Sequence, residues 1–500
     1  MKEKYKILLE KIKEIGIISQ IVQLLGWDTE TMMPKGAVIQ RSEQQAFIAT
    51  LAHEKQTDPK IGKLLKEIQN HSDYEKLSYL EKRNIYLIKR AYDRETKVPA
   101  EFVAEYTKAS VIATEKWKEA RENNDFEVFK PHLKNMFEMT KQYANYLNPD
   151  LPPYEVLLDL FEPSMNIEKY NEIFNPLKEA TIKLVMRCQA SNIKPDYSLI
   201  TRKVPIEIQK KLAYDVMKLI NYDLNRGRLD VAPHPFTTGD YDDVRITTRY
   251  YENYFASSLF AVMHEGGHGC YGQNSDVKLR YQPAGDYCSM GVHESQSRFY
   301  ENFIGRSKSF WFFYFNRFKE ITGDIFSDIQ YDDFFRAINK VEPSLIRVEA
   351  DEVTYNLHII LRFELERDLF EGKIKVEDLP KIWEKKMKEM LGIDVDKISN
   401  GVLQDIHWSG GSFGYFPTYT LGNVYGAQFF AKLIKDIPDW DKRLEKGEVS
   451  ALTNWMTENV QKTGNLYDPP ELVEEITGEY PNPKYLIEFL ENKYSELYNL

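Results

Sequence analysis

Tyr5, Leu8, Leu9, Ile12 and Ile15 recur at helical spacing with Lys and Glu between them, so the chain opens on an amphipathic helix. "SYLEKRNIYLIKRAYDRET" and "EDLPKIWEKKMKEMLGI" repeat the pattern, and similar segments follow one another nearly end to end. "NPDLPPYE" at 148–155 and "YPNP" at 480–483 are the clearest breaks. One stretch keeps another period. In "YDDVRITTRYYEN", Val244, Ile246, Thr248 and Tyr250 alternate with polar or charged residues, which is strand spacing rich in β-branched side chains. The pattern predicts a mostly α protein with a small β-sheet. No repeat or low-complexity linker divides it, so residues 1–500 read as a single catalytic domain. Residues 1–130 are expected to form a helical lid over an active-site region spanning 234–419.

With 500 residues, 42% of them hydrophobic, the chain can bury a large core. A formal net charge of −11 repels phosphate backbones and argues against nucleic acid as a partner. The three cysteines form no C-x-x-C pair, which suits a reducing compartment. Cys270 reads as a small buried hydrophobe and not as a thiolate ligand. Charges interrupt "MKEKYKILLEKIKEIG" throughout, unlike a secretory signal, and no apolar run reaches the ~18 residues of a membrane span. A soluble, cytoplasmic protein is expected.

The chemistry concentrates at "AVMHEGGHGCYGQ", residues 261–273. Four apart on a helix, His264 and His268 stack on one face and can grip one metal ion. Glu265 lies about 100° around the helix from His264. That is where a base must sit to hold a metal-bound water. Gly266, Gly267 and Gly269 would each cost a helix interior about 0.8–1 kcal/mol relative to Ala, so something is expected to approach this backbone closely. A catalytic zinc takes three protein ligands and keeps one position open. A third His six residues after the second is ruled out, because that position is Asn274. The ligand must then come from a second helix, and "GVHESQSRFYENF" at 291–303 has that character. Spacing favours Glu294 over His293, with Glu301 behind them, and does not decide.

Six of the nine histidines fall between 234 and 407. In "DIHWSGGSFGYFPTY", His407 and Tyr419 are the candidate donors to an oxyanion, with Tyr415 in reserve; His407 alternatively partners Asp405. A substrate carboxylate calls for an Arg fork, and Arg245 and Arg347 are the candidates, each with an internal salt bridge as the alternative. His234 precedes a Pro, which puts it in extended or turn structure, where it reads as shaping a groove. His358, among apolar neighbours in "YNLHIILRF", reads as a core histidine. The strand at 243–250 is placed to pair with an extended substrate.

"HEGGH" followed some two dozen residues later by "HESQ" resembles the carboxypeptidase Taq family of thermostable metallocarboxypeptidases. "GWDTETMMPKGA", "HPF" at 234, "DVRIT" at 243, "IRVEADEVTY" at 346 and "GVLQDIHWSGGSFGYFPTYTLG" at 401 resemble its other signatures, in its order, across essentially the whole chain. One departure is local: the family commonly has Ala where Gly266 or Gly269 stands, which bears on helix stiffness and not on chemistry. The resemblance implies a helical fold like neurolysin and angiotensin-converting enzyme, with a deep groove. "HPF" and "DVRIT" would close one end of it. It also implies a homodimer and one zinc ion per chain, or cobalt in its place. Matched position by position, it makes His264, His268 and Glu294 the metal ligands and Glu265 the general base. The activity expected is a metal-dependent carboxypeptidase of broad specificity acting through a zinc-activated water. An endo-oligopeptidase of the same fold is the alternative. A scaffold with a structural zinc is disfavoured, because such sites prefer four Cys or His ligands and need no Glu beside the first His.

Overall fold

The computed structural model describes all of residues 1–500. Twenty α-helices, α1 to α20 in chain order, and one three-stranded sheet make up the regular structure. No helix is long and apolar enough to cross a membrane.

Four helices form an N-terminal layer: α1 (Lys2–Thr31), α2 (Val38–Gln56), α3 (Pro59–Gln69) and α4 (Tyr79–Lys97). The opening helix is thus where the spacing predicts it. At the start of α4, Ser78 Oγ accepts from the Glu81 N–H while the Glu81 carboxylate accepts from the Ser78 N–H, so two donors that the first turn leaves unpaired are both satisfied. The layer buries its own small cluster: Tyr5, Leu8, Ile61, Leu65, Ile68, Leu77, Ile85 and Ile88. The main core begins at Val98 and runs to Tyr498, and α5 (Ala100–Asn123) and α6 (Phe126–Leu147) contribute to it. The helices with a core of their own therefore end with α4 at Lys97.

In the sheet, β3 (Asp243–Thr248) lies between β1 (Gly227–Val231), to which it is parallel, and β2 (Thr237–Asp240), to which it is antiparallel. The alternation in "DVRIT" does mark a strand, though Tyr250 falls beyond it. Val244 and Ile246 are fully buried and lie against α10 (Phe255–Asn274), close to Gly272 and Gly269. Arg245 alternates to the opposite face, over the Trp27 ring of α1 at 4.2 Å. Both edges of β3 are taken by β1 and β2, so the expectation that this strand pairs with substrate is corrected. Any added strand would have to join β1 or β2. Those two are "GRLDV" and "TTGD", five and four residues long and too short for a period to stand out in the sequence.

The glycines of α10 answer to close packing, as their number predicts. A Cβ at Gly267 would lie 2.7 Å from the Gln296 carbonyl, and one at Gly269 would lie 2.6 Å from the Tyr222 ring. Gln296 belongs to α11 (Met290–Arg298), which runs on into a π-helical turn, Phe299–Ile304. α16 (Pro417–Asp436) packs against α11, and α14 (Tyr355–Phe370) packs against α16. α14 is buried nearly all round; His358 within it has no exposed surface and is the core histidine its neighbours suggest.

Candidate metal centre

α10 and α11 bring three donors together. His264, His268 and Glu294 each offer one atom, and the three atoms lie within 4.8 Å of one another. Glu294 Oε2 is 3.5 Å from His268 Nε2 and 3.8 Å from His264 Nε2. Two donors, each about 2.1 Å from a tetrahedral cation, should stand roughly 3.4 Å apart, so the triad fits a divalent metal. Two imidazole nitrogens and one carboxylate oxygen are also one of the donor sets of catalytic zinc.

The other two residues weighed as third ligand are in the site too, with different parts. Glu301, on the π-helical turn, lies 2.9 Å from His264 Nδ1 and orients the ring so that Nε2 faces Glu294. Its carboxylate also accepts from Arg298 at 3.3 Å and Arg306 at 3.4 Å. His293 Nδ1 lies 2.5 Å from His268 Nδ1, within hydrogen-bond reach. Burial, reinforced by His268, keeps His293 well below the ordinary imidazole pKa, hence neutral. Glu294 Oε1 accepts from Arg298 Nε at 2.7 Å. Burial raises the pKa of this carboxyl, but Arg298 and His264 outweigh it and hold the group far below the usual carboxylate range. Glu265 is buried beside the triad, and its Oε2 accepts from Thr237 Oγ1 at 2.7 Å. The same hydroxyl lies 3.0 Å from the Glu265 carbonyl, so β2 braces both the side chain and the backbone of this residue.

A second cluster adjoins the first through Tyr355. The Arg298 guanidinium lies over the Tyr355 ring at 4.6 Å, and Tyr355 OH accepts from Arg347 Nη1 at 3.3 Å. Arg347 is buried and donates through Nε and Nη2 to Asp405 Oδ1, at 3.0 and 2.9 Å. Asp405 Oδ2 is taken by the fully buried Arg362 at 2.8 and 2.5 Å. Arg347 therefore does sit in an internal salt bridge, but with Asp405 and not with its sequence neighbours. Two arginines share one carboxylate, which leaves one positive charge over. His407 is not the partner of Asp405. Its Nε2 meets Tyr419 OH at 3.4 Å and its ring packs on Phe416 at 4.4 Å. Burial, then the Arg347 charge, lowers its pKa to about 4, so His407 is neutral at pH 7. Tyr415 stacks edge-on against Tyr419 at 5.3 Å.

Not every candidate is gathered here. Arg245 is held by Asp243 at 2.7 and 2.9 Å on the sheet face turned from α10. It lines a cavity of about 330 Å³ between α1 and the sheet. His234 is exposed in the bend between β1 and β2. Thr237, Arg298 and Tyr355 were not singled out from the sequence. Thr237 follows "HPF" directly and Tyr355 ends "IRVEADEVTY", so motif membership was the one signal available for either.

A family model described as carboxypeptidase Taq (M32) metallopeptidase matches residues 7–494. "Carboxypeptidase 1" of Bacillus subtilis is 42% identical over 496 residues, covering 99% of each chain. "Thermostable carboxypeptidase 1" of Thermus thermophilus is 40% identical over 504 residues, again with 99% of each chain covered. Among solved structures, an M32 carboxypeptidase from Deinococcus radiodurans superposes with a TM-score of 0.96 at 35% identity, covering 100% of both chains.

Proposed function

The chain belongs to the carboxypeptidase Taq (M32) family of metallopeptidases and is a metallocarboxypeptidase. From that premise we propose that it removes C-terminal residues from peptides with broad specificity, using one divalent cation held by His264, His268 and Glu294 and Glu265 as general base. Zinc suits the donor set best, with cobalt second. When bound, such a cation supplies Lewis acidity and lowers the pKa of a coordinated water.

The chain's own groups do the rest. With Oε2 engaged by Thr237, Glu265 has its other oxygen free to accept the proton of the attacking water and return it to the leaving amine. Tyr419 and the neutral His407 are donors for the oxygen on which charge develops. Losing one donor of this kind costs about 2.7–4 kcal/mol of transition-state stabilisation. Of the two arginines, Arg347 is the better partner for a terminal carboxylate. Its cluster carries the surplus positive charge, and Tyr355 and Tyr419 flank its guanidinium. These groups address the peptide backbone and its terminus and no particular side chain, which supports broad specificity. The separate core of residues 1–97 supports a lid drawn at that boundary. The deep groove and the likeness to neurolysin belong to the same reading.

The observation that carries it is the convergence of two Nε2 atoms on one Glu294 oxygen, with both Nδ1 atoms already engaged. Hydrolysis of matched peptides with free and amidated C-termini tests it. Free peptides should be shortened from the end and amidated ones spared. Internal cleavage of both would replace the exopeptidase reading with an endo-oligopeptidase.

A further inference from the structure

Glu162 lies just past the end of α7 (Pro153–Phe161), and none of its surface is exposed. Three neutral groups donate to its carboxylate. Ser289 Oγ and Tyr425 OH reach Oε1 at 2.9 and 3.0 Å, and the Gly291 N–H reaches Oε2 at 2.9 Å. A carboxylate this dry and without a cation is costly to keep, and burial pushes its pKa up to about 7 against the pull of those donors. Residues 289–291 are the first turn of α11, where Ser289 caps the helix by accepting from the Val292 N–H. Tyr425 stands on α16. The approach is tight: a Cβ at Gly291 would lie 2.8 Å from Glu162 Oε2.

Three residues beyond Gly291 on α11 comes Glu294, and three residues before Tyr425 on α16 comes Gly422. These two positions touch. A Cβ at Gly422 would lie 2.4 Å from Glu294 Cγ. One helical turn therefore separates the contacts of Glu162 from the place where Glu294 is pressed between the two helices, along either helix. We infer that Glu162 is a positioning residue for the metal centre: by tying α11 to α16 it sets the rotation of α11 and so the direction of the Glu294 carboxylate. It touches neither substrate nor reacting atoms and acts through Glu294. The inference rests on Glu294 being a ligand.

Glu162→Gln keeps the shape but gives one of the three donors an amide N–H to face. In the metal-loaded enzyme we expect the metal dissociation constant, measured by chelator competition, to rise roughly tenfold. That is the low end of the range for residues supporting a ligand, since Glu162 does not touch one. The kcat should fall by a similar factor with KM within about twofold, and the visible spectrum of the cobalt-substituted enzyme should change. Glu162→Asp restores the charge without the reach and should recover part of the loss. A parental dissociation constant, kcat and cobalt spectrum, with only the melting temperature lowered, would make Glu162 a structural residue and overturn the inference. Should Glu162→Gln fail to fold, Tyr425→Phe removes a single donor. It should move the dissociation constant and spectrum in the same direction by a smaller factor, and no movement in either overturns the inference. His268→Ala separates this outcome from failure of the ligand reading: metal retained there sinks the ligand set, whereas parental behaviour of the Glu162 variants leaves it standing.

Discussion

In the N-terminal layer, α2 buries none of its 19 residues, whereas α10, where it meets α11, buries fifteen of its 20. The layer leans on its neighbours from one side. Ile39 and Phe47 of α2 are 74% and 70% exposed, and the small cluster around Leu65 joins α1, α3 and α4 without any residue of α2, which is tied to α1 by the ion pairs Arg41–Asp28 and Lys55–Glu14. The meeting of α10, α11 and α16 is enclosed, and its backbones approach so closely that Gly267 and Gly422 have no room for a side chain. Polar groups buried there must each find a partner, because an unpaired one costs about 1–3 kcal/mol. Glu265 finds Thr237, His264 finds Glu301 and Glu294 finds Arg298. Packing from all sides is what lets a protein hold charged and titratable groups in fixed directions, and the candidate metal centre lies here and not in the layer.

Substitutions should separate the two regions by orders of magnitude. His268→Ala, at the enclosed end, should lose both metal and turnover. Metal analysis that still finds one ion per chain would show the ligand set to be wrong. Glu265→Gln should keep the metal and lose about 10²- to 10⁴-fold in kcat, the usual share of a general base. A near-parental kcat would move the base elsewhere. His407→Asn probes the neighbouring cluster through pH. With its folded pKa lowered to about 4, His407 binds fewer protons in the folded than in the unfolded chain between about pH 4 and 6.5. Its contribution to stability is therefore complete above about pH 6.5 and is lost as pH falls toward 4. Urea midpoints of the parent should drop relative to the variant across that window, and parallel curves would refute the depressed pKa. Phe47→Ser, on the open helix, should change stability by no more than about 0.5 kcal/mol and leave metal content alone. A loss of 2 kcal/mol or more in urea unfolding would mean that α2 is covered in solution.

The same contrast governs what could be read from the chain. α1 was legible because a helix with one wet face writes its period into the sequence. α14 hides its period, since a helix buried on all sides has no polar stripe to mark it. The strand in "DVRIT" was legible for its alternation, but its central place in the sheet was not, and that place denies it a free edge for substrate. At the metal centre, His264, Glu265 and His268 could be read together because helical geometry alone relates residues one and four apart. His293, Glu294 and Glu301 could be nominated from spacing, with Glu294 favoured, but spacing could not decide among them. All three face the site, and the resemblance to a family chose among them before any coordinates did.

By itself, then, the sequence determined the local facts: a mostly helical chain, a histidine pair on one helical face, and glycines that demand a close neighbour. Tertiary structure alone decided that Glu301 and His293 hold the histidine rings, that Arg347 shares Asp405 with Arg362, and that Arg245 turns away toward Trp27. The physical reason is range. Backbone geometry relates residues within a turn or two of each other. Which side chains meet across tens or hundreds of positions is settled only by how whole helices pack, and a helix rotated by one residue swings every side chain about 100° around its axis.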